Sequence, residues 1–160
     1  MKEISIIIPI LNESENVKLL IPEISKNIKI LKILKYEIIL VDDNSKDQIE
    51  LVVRKLRKKF KSLKLLIRRK KDKDLSKSCI LGFEKSKYKN ILVMDGDFQH
   101  HPKYILNLVQ NFNRTNCDIV VGARDLTSTK KTKLSIFRLG SSFIVTTFLN
   151  IALGKKTSDP

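Results

Sequence analysis

The sequence predicts an α/β protein with a mainly parallel sheet flanked by helices. Three observations carry that expectation. Short apolar runs rich in β-branched residues alternate with longer segments of helical spacing up to about residue 121. The runs are apolar almost throughout, as strands buried on both faces require. Three of them end in polar, acid-bearing turns, which is where open α/β sheets place their ligands.

The elements follow in order. Ile4 to Ile8, closed by Pro9, reads as a buried first strand. Asn12-Glu13-Ser14-Glu15 opens a helix, with Ser14 suited to cap it and acids suited to its positive end. Val17, Leu20, Ile21, Ile24, Ile28 and Leu31 continue the helical spacing, and Pro22 predicts a kink or a late start. Tyr36 to Val41 is a second strand, and a helix from about Gln48 to Phe60 follows. Lys64 to Ile67 is a third strand. Residues 75–87 read as a helix with Leu75, Cys79 and Phe83 inward. Ile91 to Met94 is a fourth strand, Pro102 fits the first turn of a helix, and Asp118 to Val121 is a further strand. Such alternation implies right-handed crossovers between parallel strands.

Composition bounds the function. The 160 residues suffice for a domain with a real core, and 42% are hydrophobic, which excludes a disordered tail. A net charge of +15 favours anionic partners, although lysines spread along most of the chain also describe ordinary solvated faces. Nucleic acid is not expected as a partner: aromatics are only 6%, Trp is absent and no RNA-binding motif occurs. Cys79 and Cys117 form no CxxC and read as free thiols of a reducing compartment. A signal peptide is not expected at the start of the chain, and no stretch reaches the roughly 20 apolar residues of a membrane span. No GxGxxG or GxxxxGK[ST] loop occurs, so an ordinary dinucleotide or P-loop domain is not indicated.

Three expected strand ends carry the candidate chemistry: Pro9 to Glu13, Val41 to Ser45, and Asp95-Gly96-Asp97 with Gln99. A parallel sheet brings these ends to one edge, so their side chains can converge on one ligand. Asp97 with Asp95 or Gln99 suits a hard divalent cation able to neutralise a diphosphate. Glu13 or Asp43 suits a base or ribose hydroxyls, and Gly96 leaves room for a ligand near the backbone. Each acid also has a plainer role as a helix cap or turn residue, and Asp47 is expected to have only that one. His100 and His101 are a second candidate pair for metal, with a supporting or capping role favoured.

With these residues in place, the chain resembles family 2 glycosyltransferases of the GT-A fold, a Rossmann-like nucleotide-diphospho-sugar transferase fold. More narrowly, it resembles the polyprenyl (dolichol) phosphate mannosyltransferases. The matching residues are Ile8-Pro9 with Asn12-Glu13, Val41 to Ser45, Leu75-Ser76 with Gly82-Phe83, and Asp95-Gly96-Asp97 with Gln99-His100 and Pro102. They continue through Val121 to Arg124, Ser135, Arg138, Ser142, Leu153-Gly154 and Ser158 to Pro160.

The resemblance implies inverting transfer of a hexose, mannose favoured, from a nucleotide sugar to a polyprenyl monophosphate, with Mn²⁺ or Mg²⁺. GDP-mannose is the favoured donor. Pro9, Asn12, Glu13, Val41, Asp43, Asp95 and Gly96 would bind it. Asp95, Asp97 and Gln99 would hold the metal. Arg124, Arg138 and Ser142 would grip the acceptor phosphate. Asp97, Arg124 and Arg138 would be catalytic. The protein would work at a membrane surface, peripheral on the cytoplasmic face. Residues 1–122 would form the nucleotide-sugar core and 123–160 an incomplete acceptor and membrane-proximal segment. Relatives continue past Ser158-Asp159-Pro160 with Thr-Ser-Gly-Phe-Arg, so a C-terminally truncated chain is expected, folded in its core and poor in transfer alone. Asp74 departs from the family's Gly-Leu-Ser, adding a negative charge and removing a glycine's freedom. A family 2 transferase with another acceptor, an inactive fragment and a basic binding module are the alternatives.

Overall fold

The computed structural model describes residues 1–122 except 71 and 116. Met1–Asp118 forms one compact unit. Its elements are β1 (Glu3–Ile10), α1 (Ser14–Ile30), β2 (Lys35–Asp42), α2 (Ile49–Leu56), β3 (Leu63–Ile67), α3 (Leu75–Glu84), β4 (Ile91–Val93) and α4 (Tyr104–Arg114). The four strands run parallel in the order β3-β2-β1-β4.

β1 is central and buried on both faces, which is why its sequence is apolar without alternation. Ile4, Ile6, Ile8 and Ile10 face a core shared with α1, α2 and α4. Ile7 faces the other way, with Ile39, Val41, Leu66 and, from α3, Leu81. The pleat therefore sends alternate residues of one strand into two separate cores.

Several boundaries differ from those expected. Helix α1 starts at Ser14 and passes through Pro22. Ser14 does not cap it: its own N–H donates to Asp47 Oδ2 at 2.8 Å, and Asp47 Oδ1 accepts the Ile49 N–H at 3.2 Å. One carboxylate thus serves the starts of two helices. Helix α2 ends at Leu56 and α3 at Glu84.

Of the expected inward face of α3, Cys79 is half-buried while the two larger residues look out. Leu75 and Phe83 are exposed, and the buried positions are Ser78 and Gly82. Gly82 lies so close to β1 that a Cβ would stand 2.4 Å from Ile7 Cγ2. Small residues bring this helix onto the sheet, and the larger stripe looks out. Asp118 to Val121 forms no strand, because among the described residues it has no ladder partner.

Candidate active site

The chain leaves β1, β2 and β4 on one edge of the sheet, and α3 begins on that same edge. Together these segments line a cleft of about 310 Å³. Pro9, Ile10, Leu11 and Glu13 come from β1 and its turn, and Asp43 from the end of β2. Lys73, Asp74, Leu75 and Ser78 come from the start of α3, and Asp95, Gly96 and Asp97 from the turn after β4. Pro9, Glu13, Asp43, Asp95, Gly96 and Asp97 therefore meet, as their strand-end positions led one to expect.

Three other expected donor or metal residues sit differently. Val41 is fully buried in a cluster with Ile7 and Ile39 and is not among the cleft's lining residues. Asn12 is exposed and braces the loops: its N–H donates to Ser45 Oγ at 2.7 Å and its Oδ1 accepts the Lys46 N–H at 2.8 Å. Gln99 is exposed outside the cleft lining, and its N–H donates to Asp97 Oδ1 at 2.9 Å. Arg124, Arg138 and Ser142 lie outside the described residues.

The turns are shaped by asparagine. Asn12 and Asn44 adopt φ of 58° and 61°, a left-handed conformation this residue tolerates well. Ser45 closes the second turn by donating its hydroxyl and its N–H to the buried Asp42 carboxylate. Phe98, directly after Asp97, also holds φ at 62°, where a bulky side chain is rare and strained. Its ring packs on the main core and meets His101 edge-on at 6.3 Å.

Sequence reasoning missed Arg68 and Lys73. Arg68, at the end of β3, donates Nη1 to Asp43 Oδ1 and to the Asp74 carbonyl at 3.3 Å. Asp43 Oδ2 accepts the Asp74 N–H at 2.6 Å. Lys73 Nζ donates to the carbonyls of Asp43 and, at 2.8 Å, Asn44. In the sequence these two cations belong to a basic run from Arg68 to Lys73 that reads as a solvated loop. The only clue was position, since the run starts at a strand's carboxyl end.

Asp74 is less of an obstacle than its charge suggested. Its backbone is extended, φ −155°, so no glycine is required there. Its side chain caps α3 by accepting the Lys77 N–H at 3.0 Å. That bond, with the Lys77 ammonium, holds the Asp74 carboxyl below its usual value. Cys79 sits nearby, and burial followed by the Asp95 charge pushes its thiol up, which makes it a poor nucleophile.

Among the described residues, five carboxylates line the cleft against one cation, Lys73. Such a set of oxygen donors fits a hard divalent cation. Among the described residues no group of three or more His, Cys, Asp or Glu side chains has metal-holding geometry. The fit therefore rests on the Asp95 and Asp97 pair. His100 Nδ1 stands 3.4 Å from Asp95 Oδ2, and His101 Nδ1 accepts the Lys103 N–H, so the histidines support and cap.

Comparison with known proteins gives this arrangement its class. The Glycosyl transferase family 2 profile matches residues 5–156. An uncharacterised protein of Methanocaldococcus jannaschii is 33% identical over 151 residues, covering 92% of this chain and 61% of its own length. The dolichol-phosphate mannosyltransferase of Pyrococcus furiosus is 37% identical over 122 residues, 76% of this chain and 33% of its own length.

Among solved structures, Staphylococcus aureus TarS superposes with a TM-score of 0.54 at 22% identity, over 70% of this chain and 32% of that one. Glucosyl-3-phosphoglycerate synthase from Mycobacterium tuberculosis, solved with Mn²⁺, UDP and glucosyl-3-phosphoglycerate, gives 0.54 at 20% identity, over 68% and 39%. The fold is the GT-A fold of sugar transferases. The chain belongs to glycosyl transferase family 2, and it spans about a third to three fifths of the two sequence relatives just described. Among the described residues no helix is long and apolar enough to cross a membrane.

Proposed function

We propose that the chain binds a nucleotide sugar, GDP-mannose favoured, and serves transfer of its hexose to a polyprenyl monophosphate with inversion. The observation that carries this reading is the meeting of Glu13, Asp43, Asp95, Gly96 and Asp97 in one strand-end cleft. The Pyrococcus furiosus relative, a dolichol-phosphate mannosyltransferase, supports the sugar and the acceptor. The Mn²⁺ and UDP in the Mycobacterium tuberculosis neighbour support the donor class.

Asp95 and Asp97 would hold Mn²⁺ or Mg²⁺, which when bound supplies Lewis acidity for a diphosphate leaving group. Glu13 and Asp43 accept hydrogen bonds from the nucleoside. Arg124 and Arg138, with Ser142, grip the acceptor phosphate through paired guanidinium contacts. An acceptor phosphate oxygen forms the new bond to the anomeric carbon while the bond to the diphosphate breaks. That oxygen is already anionic, so no side chain needs to remove a proton. The reaction belongs at the cytoplasmic face of a membrane, where the acceptor lipid lies.

The test is a transfer assay with GDP-mannose, Mn²⁺ and a polyprenyl phosphate, using the 160-residue chain and a version extended to the length of its relatives. Mannosyl lipid formed by the extended protein supports the reading. Donor binding with no lipid product in either protein would leave a family 2 transferase of another acceptor.

A further inference from the structure

We propose that the free edge of β3, with the groove between it and α2, binds an extended acidic segment of a partner protein as an added strand. This surface shares no lining residue with the strand-end cleft.

Among the described residues β3 is the outermost strand on its side of the sheet, paired only with β2. The Ser62 carbonyl accepts the Ile38 N–H at 3.0 Å, and Arg68 donates its N–H to the Asp42 carbonyl at 2.8 Å. Alternate residues of a strand bond to the same neighbour, so Lys64 and Leu66 also turn their backbone groups to β2. Leu65 and Ile67 therefore present N–H and C=O groups outward. Such edges are usually blunted by proline, a bulge or charge. Leu63–Ile67 has no proline and its register is unbroken. Its lysine, Lys64, lies on the opposite face from Leu65 and is held by Glu37 at 2.6 Å.

Beside this edge lies a groove of about 450 Å³. Val53, Leu65 and Ile67 give it apolar walls, and Glu50, Arg54 and Arg57 stand with Val53 on one stripe of α2. Arg54 and Arg57 are exposed and pair with no carboxylate among the described residues. From residue 51 to residue 71 the sequence holds no acid, while lysine and arginine recur.

These features select the occupant. Free backbone groups are satisfied best by another strand, because neither a bilayer nor a nucleic acid offers a matching ladder. A strand added to β3 turns every second side chain toward α2, about 7 Å apart. Arg54 and Arg57 are neighbours on one helical turn, with Cβ atoms about 5–6 Å apart, so two such side chains can each reach a guanidinium. Carboxylates suit both positions, since arginine grips them through paired hydrogen bonds. A second copy of this chain fits poorly. Each chain carries +15, and pairing β3 with β3 sets the two arginines against their own copies.

The experiment titrates the 160-residue chain with a labelled, end-blocked peptide, Thr-Val-Thr-Glu-Thr-Glu-Thr. It is compared with a version carrying lysine for glutamate and with two versions N-methylated on alternate residues, one set each. The acidic peptide should bind at least about ten-fold tighter than the lysine version, and the double variant Arg54→Glu, Arg57→Glu should lose about ten-fold or more. One methylated version should lose binding and the other keep it, since only alternate amides face β3. The amides of Leu65 and Ile67 should gain protection from hydrogen exchange. Both arginines are exposed, so the fold should survive, and thermal unfolding of the variant checks this. Equal binding of the acidic and lysine peptides, equal loss in both methylated versions, or unchanged binding by the double variant would overturn the proposal. Absence of peptide binding also overturns it, and a single-stranded oligonucleotide or phosphatidylserine vesicles bound through the same arginines would then mark a plain polyanion face.

Discussion

Arg68 and Asp43 form a buried ion pair that fixes one wall of the cleft, each side chain only 7% exposed. Through this pair the end of β2, the end of β3 and the start of α3 are held as one piece. Arg68→Ala would leave the Asp43 charge buried without its partner. Breaking such a pair costs about 3–5 kcal/mol. Urea unfolding of the variant should show a loss of that order, and a loss under about 1 kcal/mol would mean that Asp43 finds other compensation.

Gly96 is needed for packing as well as for access. A Cβ there would stand 2.8 Å from Ile10 Cγ2 and 3.2 Å from Glu13 Oε2. Gly96→Ala should therefore push the Glu13 carboxylate and the β4 turn apart, at about 1–3 kcal/mol of overpacking. Nucleotide affinity should fall with it. Unchanged stability and affinity would show that the turn gives way freely.

Glu37 stands at the other edge of the sheet from the cleft. Burial pushes its carboxyl up, but contacts from Lys64, Ser5 Oγ and the Lys87 N–H outweigh it and hold the group below its usual value of about 4.5. A lowered folded value means the stabilisation is present above about pH 4.5 and is lost as pH falls through the folded value. Glu37→Gln should be less stable at pH 7 and should lose less on acidification. Parallel stability curves for the two proteins between pH 7 and pH 3 would show that Glu37 contributes nothing to the acid limb.

Much of this was legible in the residues, and the failures have physical causes. β1 and β2 announce themselves because two buried faces leave no polar alternation to misread. The acids that meet in the cleft stand out in the sequence because a parallel sheet sends all its strand ends one way. The inward face of α3 was misread because apolar size usually marks the core, whereas here Ser78 and Gly82 do the packing. Arg68 was missed because its partner lies 25 residues earlier, and only the register of β2 on β3 brings them together. Ser14 was misassigned as a cap because Asp47, 33 residues away, takes its N–H instead.

The residues proposed to grip the acceptor give a prediction that separates the two substrates. Arg138→Ala should weaken binding of a polyprenyl phosphate while leaving GDP-mannose affinity nearly unchanged. A lost charge-assisted contact is worth about 1.5–3 kcal/mol, or roughly ten- to a hundred-fold in affinity. If donor binding falls and acceptor binding holds, Arg138 belongs to the other substrate.

The central claim is that Asp95 and Asp97 bring a divalent cation to a nucleotide sugar in the strand-end cleft. Calorimetric titration of GDP-mannose, with and without Mn²⁺, into the wild-type protein and Asp97→Asn tests it most directly. The account predicts clear Mn²⁺-dependent binding to the wild-type chain and at least about a ten-fold loss in the variant, the scale of one charged contact. Equal Mn²⁺-dependent affinity in the two proteins would contradict it.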